Sequence, residues 1–163
     1  EDVAEALEAT RGSVYHYLKG REDLVTQCLN RGFDLYEEFF NYADAHGKSG
    51  LEKASIGSHL NTQAQVGTLQ PTLAWMSFDV PSEKLREKLA LRMRNLSLRA
   101  REFSLQGIKD GSRRDFDVAV PAVIRAGAYL WIPKWIDHIT EPDQQHIADE
   151  IVALFNKGLA PLA

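Results

Sequence analysis

Cysteine is almost missing from this chain: Cys28 stands alone among 163 residues. A single thiol excludes an internal disulfide framework and any zinc site built on cysteine pairs, and it fits a reducing compartment such as the cytoplasm. No apolar run approaches the roughly 20 residues that a membrane-spanning helix needs, so no membrane partner is expected. Alternating strand patterns and internal repeats are absent as well. So are the common catalytic signatures: there is no His-Glu-x-x-His, no Gly-x-Ser-x-Gly and no glycine loop shaped to cradle phosphate. Neither an enzymatic activity nor a cofactor is therefore expected. His138 and His146 flank a loop carrying Glu141 and Asp143, too sparse a set to be read as a metal site. A basic surplus is lacking too, with 19 Lys and Arg against 23 Asp and Glu and a net charge of −4, which on its own argues against a nucleic-acid partner. Finally there is no opening Met. The chain starts Glu1-Asp2-Val3-Ala4 inside a helical pattern, and we expect a native N-terminal segment to precede it.

What is present is helix. At 44% hydrophobic and 26% charged the chain has the composition of a globular domain. Glycine and proline punctuate helical patterns over 2–7, 11–18, 21–46 and, more weakly, 51–66, where Gly57 and several Ser, Thr, Asn and Gln residues dilute the apolar periodicity. A short apolar helix carrying Leu73, Trp75, Met76 and Phe78 is expected to stop near Pro81. From Ser82 to Gly111 the residues Leu85, Leu89, Met93, Leu96, Ala100, Phe103 and Ile108 trace one stripe, while Lys84, Lys88, Arg92 and Arg99 trace a face read as solvated. The segment Val118 to Ile139 is apolar on almost all sides and needs cover all round. A last helix starts at Thr140-Glu141-Pro142-Asp143 and ends near Gly158. The fold class is all-α.

The chemistry gathers at the start. Two short helices joined by Glu8-Ala9-Thr10 cannot bury a core alone, but they form a helix-turn-helix whose second member fits the major groove of DNA. Thr10 is placed to cap that helix. From Thr10 to Arg21 there are three basic residues, Arg11, Lys19 and Arg21, and no acid. Tyr15, His16 and Tyr17 bring hydroxyl and imidazole groups within reach of phosphates or base edges, and Gly12 and Ser13 leave room for close approach. The competing interpretation makes Tyr15-His16-Tyr17 an interior aromatic turn of a helical bundle.

The run Val3-Ala4-Glu5-Ala6-Leu7, then Thr10-Arg11-Gly12-Ser13-Val14-Tyr15-His16-Tyr17-Leu18 and Lys19-Gly20-Arg21-Glu22-Asp23-Leu24, resembles without a gap the DNA-binding signature of the TetR family of bacterial transcriptional regulators. Three positions depart from it: Glu8 replaces the glycine usual in the turn, Leu18 a common Phe, and Arg21 the usual Lys. The family's first helix is missing from this chain. The resemblance implies that Arg11, Gly12, Ser13 and His16 face bases while Thr10, Tyr15, Tyr17, Lys19 and Arg21 hold phosphates. It also implies a homodimer on a double-stranded DNA operator, paired through 118–139 and the last helix.

On that pattern residues 1–45 form the DNA-binding region with its linking helix, and 46–163 an effector-binding and dimerisation domain. The effector, a small molecule, is expected among large side chains with polar handles: His59, Gln63, Trp75, Met76, Phe78, Phe103, Tyr129 and Trp131. The function expected is that of a repressor released from its operator by this effector. The alternative is a helical interaction or small-molecule-binding protein without DNA binding, motivated by Glu8 and the missing helix.

Overall fold

In a computed structural model the described residues are 2–6, 8–66, 82–132 and 140–158, and all their regular structure is helical. The elements are α1 (Asp2–Ala6), α2 (Arg11–Tyr17), α3 (Arg21–His46), α4 (Gly50–Val66), α5 (Glu83–Asp110), α6 (Ala119–Trp131) and α7 (Glu141–Lys157). The apolar helix expected around Trp75, Met76 and Phe78, and the stretch with Trp135 and His138, lie outside the described residues.

Capping explains most of the boundaries. Ser82 caps α5, its hydroxyl accepting from the Leu85 N–H at 3.4 Å, and Gly111 closes that helix in the left-handed conformation at φ 76°. At the head of α4 the caps come from far along the chain. The Gly50 N–H donates to Asp110 Oδ2 at 2.7 Å and the Leu51 N–H to Ser112 Oγ at 3.1 Å. Hydrogen bonds from Ser112 and from the Gly50 N–H hold the Asp110 carboxyl below the usual carboxylate range. A group so depressed contributes stability that is present above its unfolded-state pKa and lost as pH falls through the lower folded value. We therefore expect Asp110→Asn to shrink the loss of stability on acidification below about pH 4, measured as thermal midpoint against pH. An unchanged acid slope would mean that this cap does not carry it.

Helices α3, α4 and α5 make the centre of the body. Leu29 and Phe33 of α3 pack with Leu85, Leu89 and Leu96 of α5, and Ala43, Ala54 and Phe103 join all three helices. Two of the basic residues read as a solvated face turn out to bind α3. Arg92 reaches Asp34 at 2.6 Å and Glu37 at 2.8 Å and lies over the Phe33 ring at 5.0 Å. One heptad on, Arg99 reaches Asn41 at 2.9 Å and Asp44 at 2.8 Å and lies over Phe40 at 5.3 Å. Lys53 of α4 meets the same Asp44 at 3.2 Å. Their partner acids sit on α3, out of reach of any pattern along α5 itself. Lys84 and Lys88 are exposed.

The apolar helix α6 has two faces. Ala122, Arg125 and Tyr129 turn inward, while Val120, Val123, Ile124 and Trp131 are 55%, 72%, 60% and 61% exposed. A β-carbon at Gly127, on that same outer stripe, would meet nothing within 4 Å. α7 packs on α4, with Asn156 Nδ2 donating to Ser55 Oγ at 2.8 Å. Its Leu154 is 70% exposed.

Candidate functional site

The N-terminal pair of helices is held by backbone chemistry. α1 ends in a Schellman arrangement: the Ala9 N–H donates to the Ala4 carbonyl at 2.9 Å and the Glu8 N–H to the Glu5 carbonyl at 3.0 Å. That geometry requires a left-handed residue, and Glu8 supplies it at φ 50°. The turn is therefore the one a glycine would make, adopted by a residue with a β-carbon and a negative charge. Thr10 then caps α2, its Oγ1 accepting from the Ser13 N–H at 3.2 Å. Gly20 opens α3 at φ 134°, a conformation side chains rarely adopt, and the Lys19 N–H donates to Asp23 Oδ2 at 2.9 Å.

With these caps closed, the side chains along α2 are left outward. Gly12, Ser13 and His16 are exposed, and Tyr15 and Tyr17 are 70% and 78% exposed, so they do not form an interior turn. A β-carbon at Gly12 would meet only Thr10 Oγ1, at 3.9 Å, so nothing among the described residues demands glycine there. Thr10, Lys19 and Arg21 are exposed on the same end, and Arg11 occupies the first position of α2. We expect Glu8→Gly to stabilise the fold by about 1 kcal/mol by relieving the left-handed strain. Any polyanion bound at this end should then bind more tightly as well. Glu8→Ala separates the two effects, since it removes the charge and keeps the strain; thermal melts and filter binding of duplex DNA read them apart.

The second feature is a cavity of about 160 Å³ between α3, α4, α5 and α6. Phe39, Phe40, Leu96 and Phe103 give it apolar walls, and Tyr36, Asn61, Gln65, Arg125 and Tyr129 give it polar ones. Asn61 and Gln65 come from α4, whose buried face is polar. Ser58, Thr62 and Gln65 are 8%, 0% and 3% exposed, at spacings of four and three residues. Gln65 Nε2 donates to the buried Tyr36 hydroxyl, whose pKa burial raises. Two buried acceptors of α4, Asn61 Oδ1 and Gln65 Oε1, close no hydrogen bond among the described residues. The Tyr129 hydroxyl lies beside Ser58 and Thr62, and burial raises its pKa in turn. An orphaned buried polar atom costs about 1–3 kcal/mol, so two on one helix face mark a place that a polar guest completes.

Of the effector residues expected from sequence, Phe103 and Tyr129 line this cavity. His59, Gln63 and Trp131 do not. His59 turns toward α7, with Nδ1 3.9 Å from Asp149, Gln63 is exposed, and Trp131 lies on the outer face of α6. Trp75, Met76 and Phe78 lie outside the described residues. Tyr36, Gln65 and Arg125 were missed. Gln65 left a local trace in Ser58-x3-Thr62-x2-Gln65, a polar stripe with helical period on α4, while Tyr36 and Arg125, on other helices, left none. Among the described residues no group of three metal-ligating side chains exists, and no helix is long and apolar enough to cross a membrane.

The described residues thus form a helix-turn-helix joined through one long helix to a helical body with a cavity between α3, α4, α5 and α6. No protein-family model and no curated protein matches the sequence. Solved structures match it closely in shape. AibR in complex with isovaleryl coenzyme A and operator DNA has a TM-score of 0.75 at 23% identity, over 95% of this chain and 85% of that one. The ketosteroid transcriptional regulator KstR2 of Mycobacterium tuberculosis has a TM-score of 0.79 at 17% identity, over 99% and 84%. A regulatory protein in the tetR family from Rhodococcus has 0.78 at 16%, over 99% and 86%. The fold of this chain is that of the TetR-type transcriptional regulators.

Proposed function

We propose that the chain is a cytoplasmic DNA-binding regulator, a repressor released from its operator by a small molecule held in the α3–α6 cavity. The observation that carries this reading is the course of α3. Its first turn adjoins the exposed helix-turn-helix, and its Tyr36, Phe39 and Phe40 form a wall of the cavity. A guest that moves that wall moves the DNA-reading end with it, so effector and operator weaken each other reciprocally. In this reading Arg11, Gly12, Ser13 and His16 meet bases, and Thr10, Tyr15, Tyr17, Lys19 and Arg21 meet phosphates. Residues 1–45 read DNA and 46–163 bind effector and pair, with α3 crossing that division. The partner is a second copy, seated on the Val120, Val123, Ile124 and Trp131 face of α6 and the Leu154 face of α7, where Gly127 permits close approach.

AibR was solved with operator DNA and isovaleryl coenzyme A together, which supports a shared design of DNA end and ligand body. Selection of bound duplexes from a random DNA pool by the full-length protein tests the reading. It should return a roughly palindromic site bound by two chains. On that site Arg21→Ala should weaken binding evenly across sequence variants and lower the slope of log affinity on log salt by about one. A pool that returns no enriched site would leave a ligand-binding helical protein without DNA binding.

A further inference from the structure

The cavity has a chemical polarity along its length. Arg113, in the loop after α5, is only 3% exposed, yet among the described residues no carboxylate pairs with it. Its Nη1 donates to Ser104 Oγ at 3.1 Å, its Nε is unpartnered, and the nearest charge acting on it is a second cation, Arg125. Burial first, and Arg125 second, push the Arg113 guanidinium down to about 10. Arg125 itself lines the cavity, and no acid lines it with Arg125. Arg125 thus stands at one end of a mostly apolar chamber, with the buried Arg113 outside the lining but within its electrostatic reach and no counter-charge among the described residues, an arrangement that an anion relieves.

The other end asks for the opposite chemistry. Tyr129 lies by Ser58 and Thr62, and Ile132 packs with Val66. α6 therefore runs along α4, with Arg125 toward the Ala54 end of α4 and Gln65 toward the far end. There the unpartnered atoms are Asn61 Oδ1 and Gln65 Oε1, both acceptors. Phe39, Phe40 and Phe103 line the same chamber. The volume, about 160 Å³, is that of a cavity which admits a benzene-sized ring.

We infer that the cavity takes a small aromatic carboxylate, its anion against Arg125 with Arg113 behind it and a hydroxyl or N–H donor at its far end toward Asn61 and Gln65. This rests on the reading of the cavity as the effector site and names the effector's class. The free acid, not its coenzyme A thioester, is the ligand, because esterification removes the charge the two arginines require.

Calorimetric titration of the full-length protein with 4-hydroxybenzoate, benzoate, methyl 4-hydroxybenzoate and 4-hydroxybenzoyl coenzyme A tests it. The free hydroxy acid should bind tightest, with benzoate and the methyl ester each weaker by about tenfold. Arg125→Met should erase the preference for acid over ester, and Arg125→Lys should keep part of it. Asn61→Leu combined with Gln65→Leu should erase the preference for the hydroxy acid over benzoate. Absence of binding by 4-hydroxybenzoate, equal binding of acid and ester, or tighter binding of the thioester overturns the inference. Operator release is measured separately by mobility shift. A chain that binds the acid with these preferences but holds its operator unchanged upholds the ligand class and overturns the regulatory reading; one released only by neutral ligands does the reverse.

Discussion

Gly50→Ala should lower the stability of this protein by about 3 kcal/mol or more. Gly50 is the first residue of α4 and is buried where that helix crosses α5. A β-carbon there would stand 2.5 Å from Gly107 Cα and closer still to the Gly107 nitrogen and the Phe103 carbonyl oxygen. These are backbone atoms, which no rotamer change can move aside. The helices must separate, and separation would break the caps from Asp110 and Ser112 onto the Gly50 and Leu51 N–H groups. Two other glycines serve as controls. A β-carbon at Gly107 meets chiefly the flexible Arg113 side chain at 2.8 Å, so Gly107→Ala should cost less. At Gly57, inside α4, a β-carbon meets nothing within 4 Å, so Gly57→Ala should gain up to about 1 kcal/mol from helix propensity. Chemical denaturation of the three variants gives the order directly. Equal losses at 50 and 57 would refute the close crossing.

The same crossing shows what sequence could and could not reveal. Gly47-Lys48-Ser49-Gly50 reads as a loop, because glycine and serine punctuate and nothing local says that Gly50 is needed by a helix some sixty residues away. The bounds of α3 and α5 were legible, since apolar spacing and the caps at Ser82 and Gly111 are local signals. The exposed helix-turn-helix was legible for the same reason: it is made by one short segment with its own turn and cap. The cavity was legible only in part. Phe103 and Tyr129 announce themselves as large apolar-bodied residues. Tyr36, Gln65 and Arg125 gain their meaning from helices that meet through the fold, and a polar residue facing inward looks, in sequence, like one facing water. Arg92 shows the converse error, a charge that sequence assigns to solvent and the fold assigns to an interhelical contact.

That contact leads to the other large effect, at Phe33, which is fully buried between α3 and α5. Its ring packs with Leu29, Leu85, Leu89 and Leu96, and the Arg92 guanidinium covers it. Phe33→Ala should cost about 3–5 kcal/mol, as removal of a buried aromatic ring commonly does. Arg92→Ala removes the cover and leaves Asp34 and Glu37 without their shared cation, but those acids are half-exposed and solvated. A loss of about 1 kcal/mol is therefore expected, and it should shrink with added salt. The loss at Phe33 should not shrink, because packing is not screened. Denaturation of both variants at low and high salt separates the terms. A salt-insensitive Arg92 variant would mean that its stacking on Phe33, not its ion pairs, joins the helices. The distinction bears on the proposed regulation, because α3 is the helix shared by the cavity and the helix-turn-helix. If packing at Phe33 dominates, α3 and α5 move as one body, and a guest in the cavity displaces the helix-turn-helix through the tilt of that body. Were the ion pairs dominant, α3 would slide along α5 by exchanging partners between the Arg92 and Arg99 rungs, and high salt would mimic the effector.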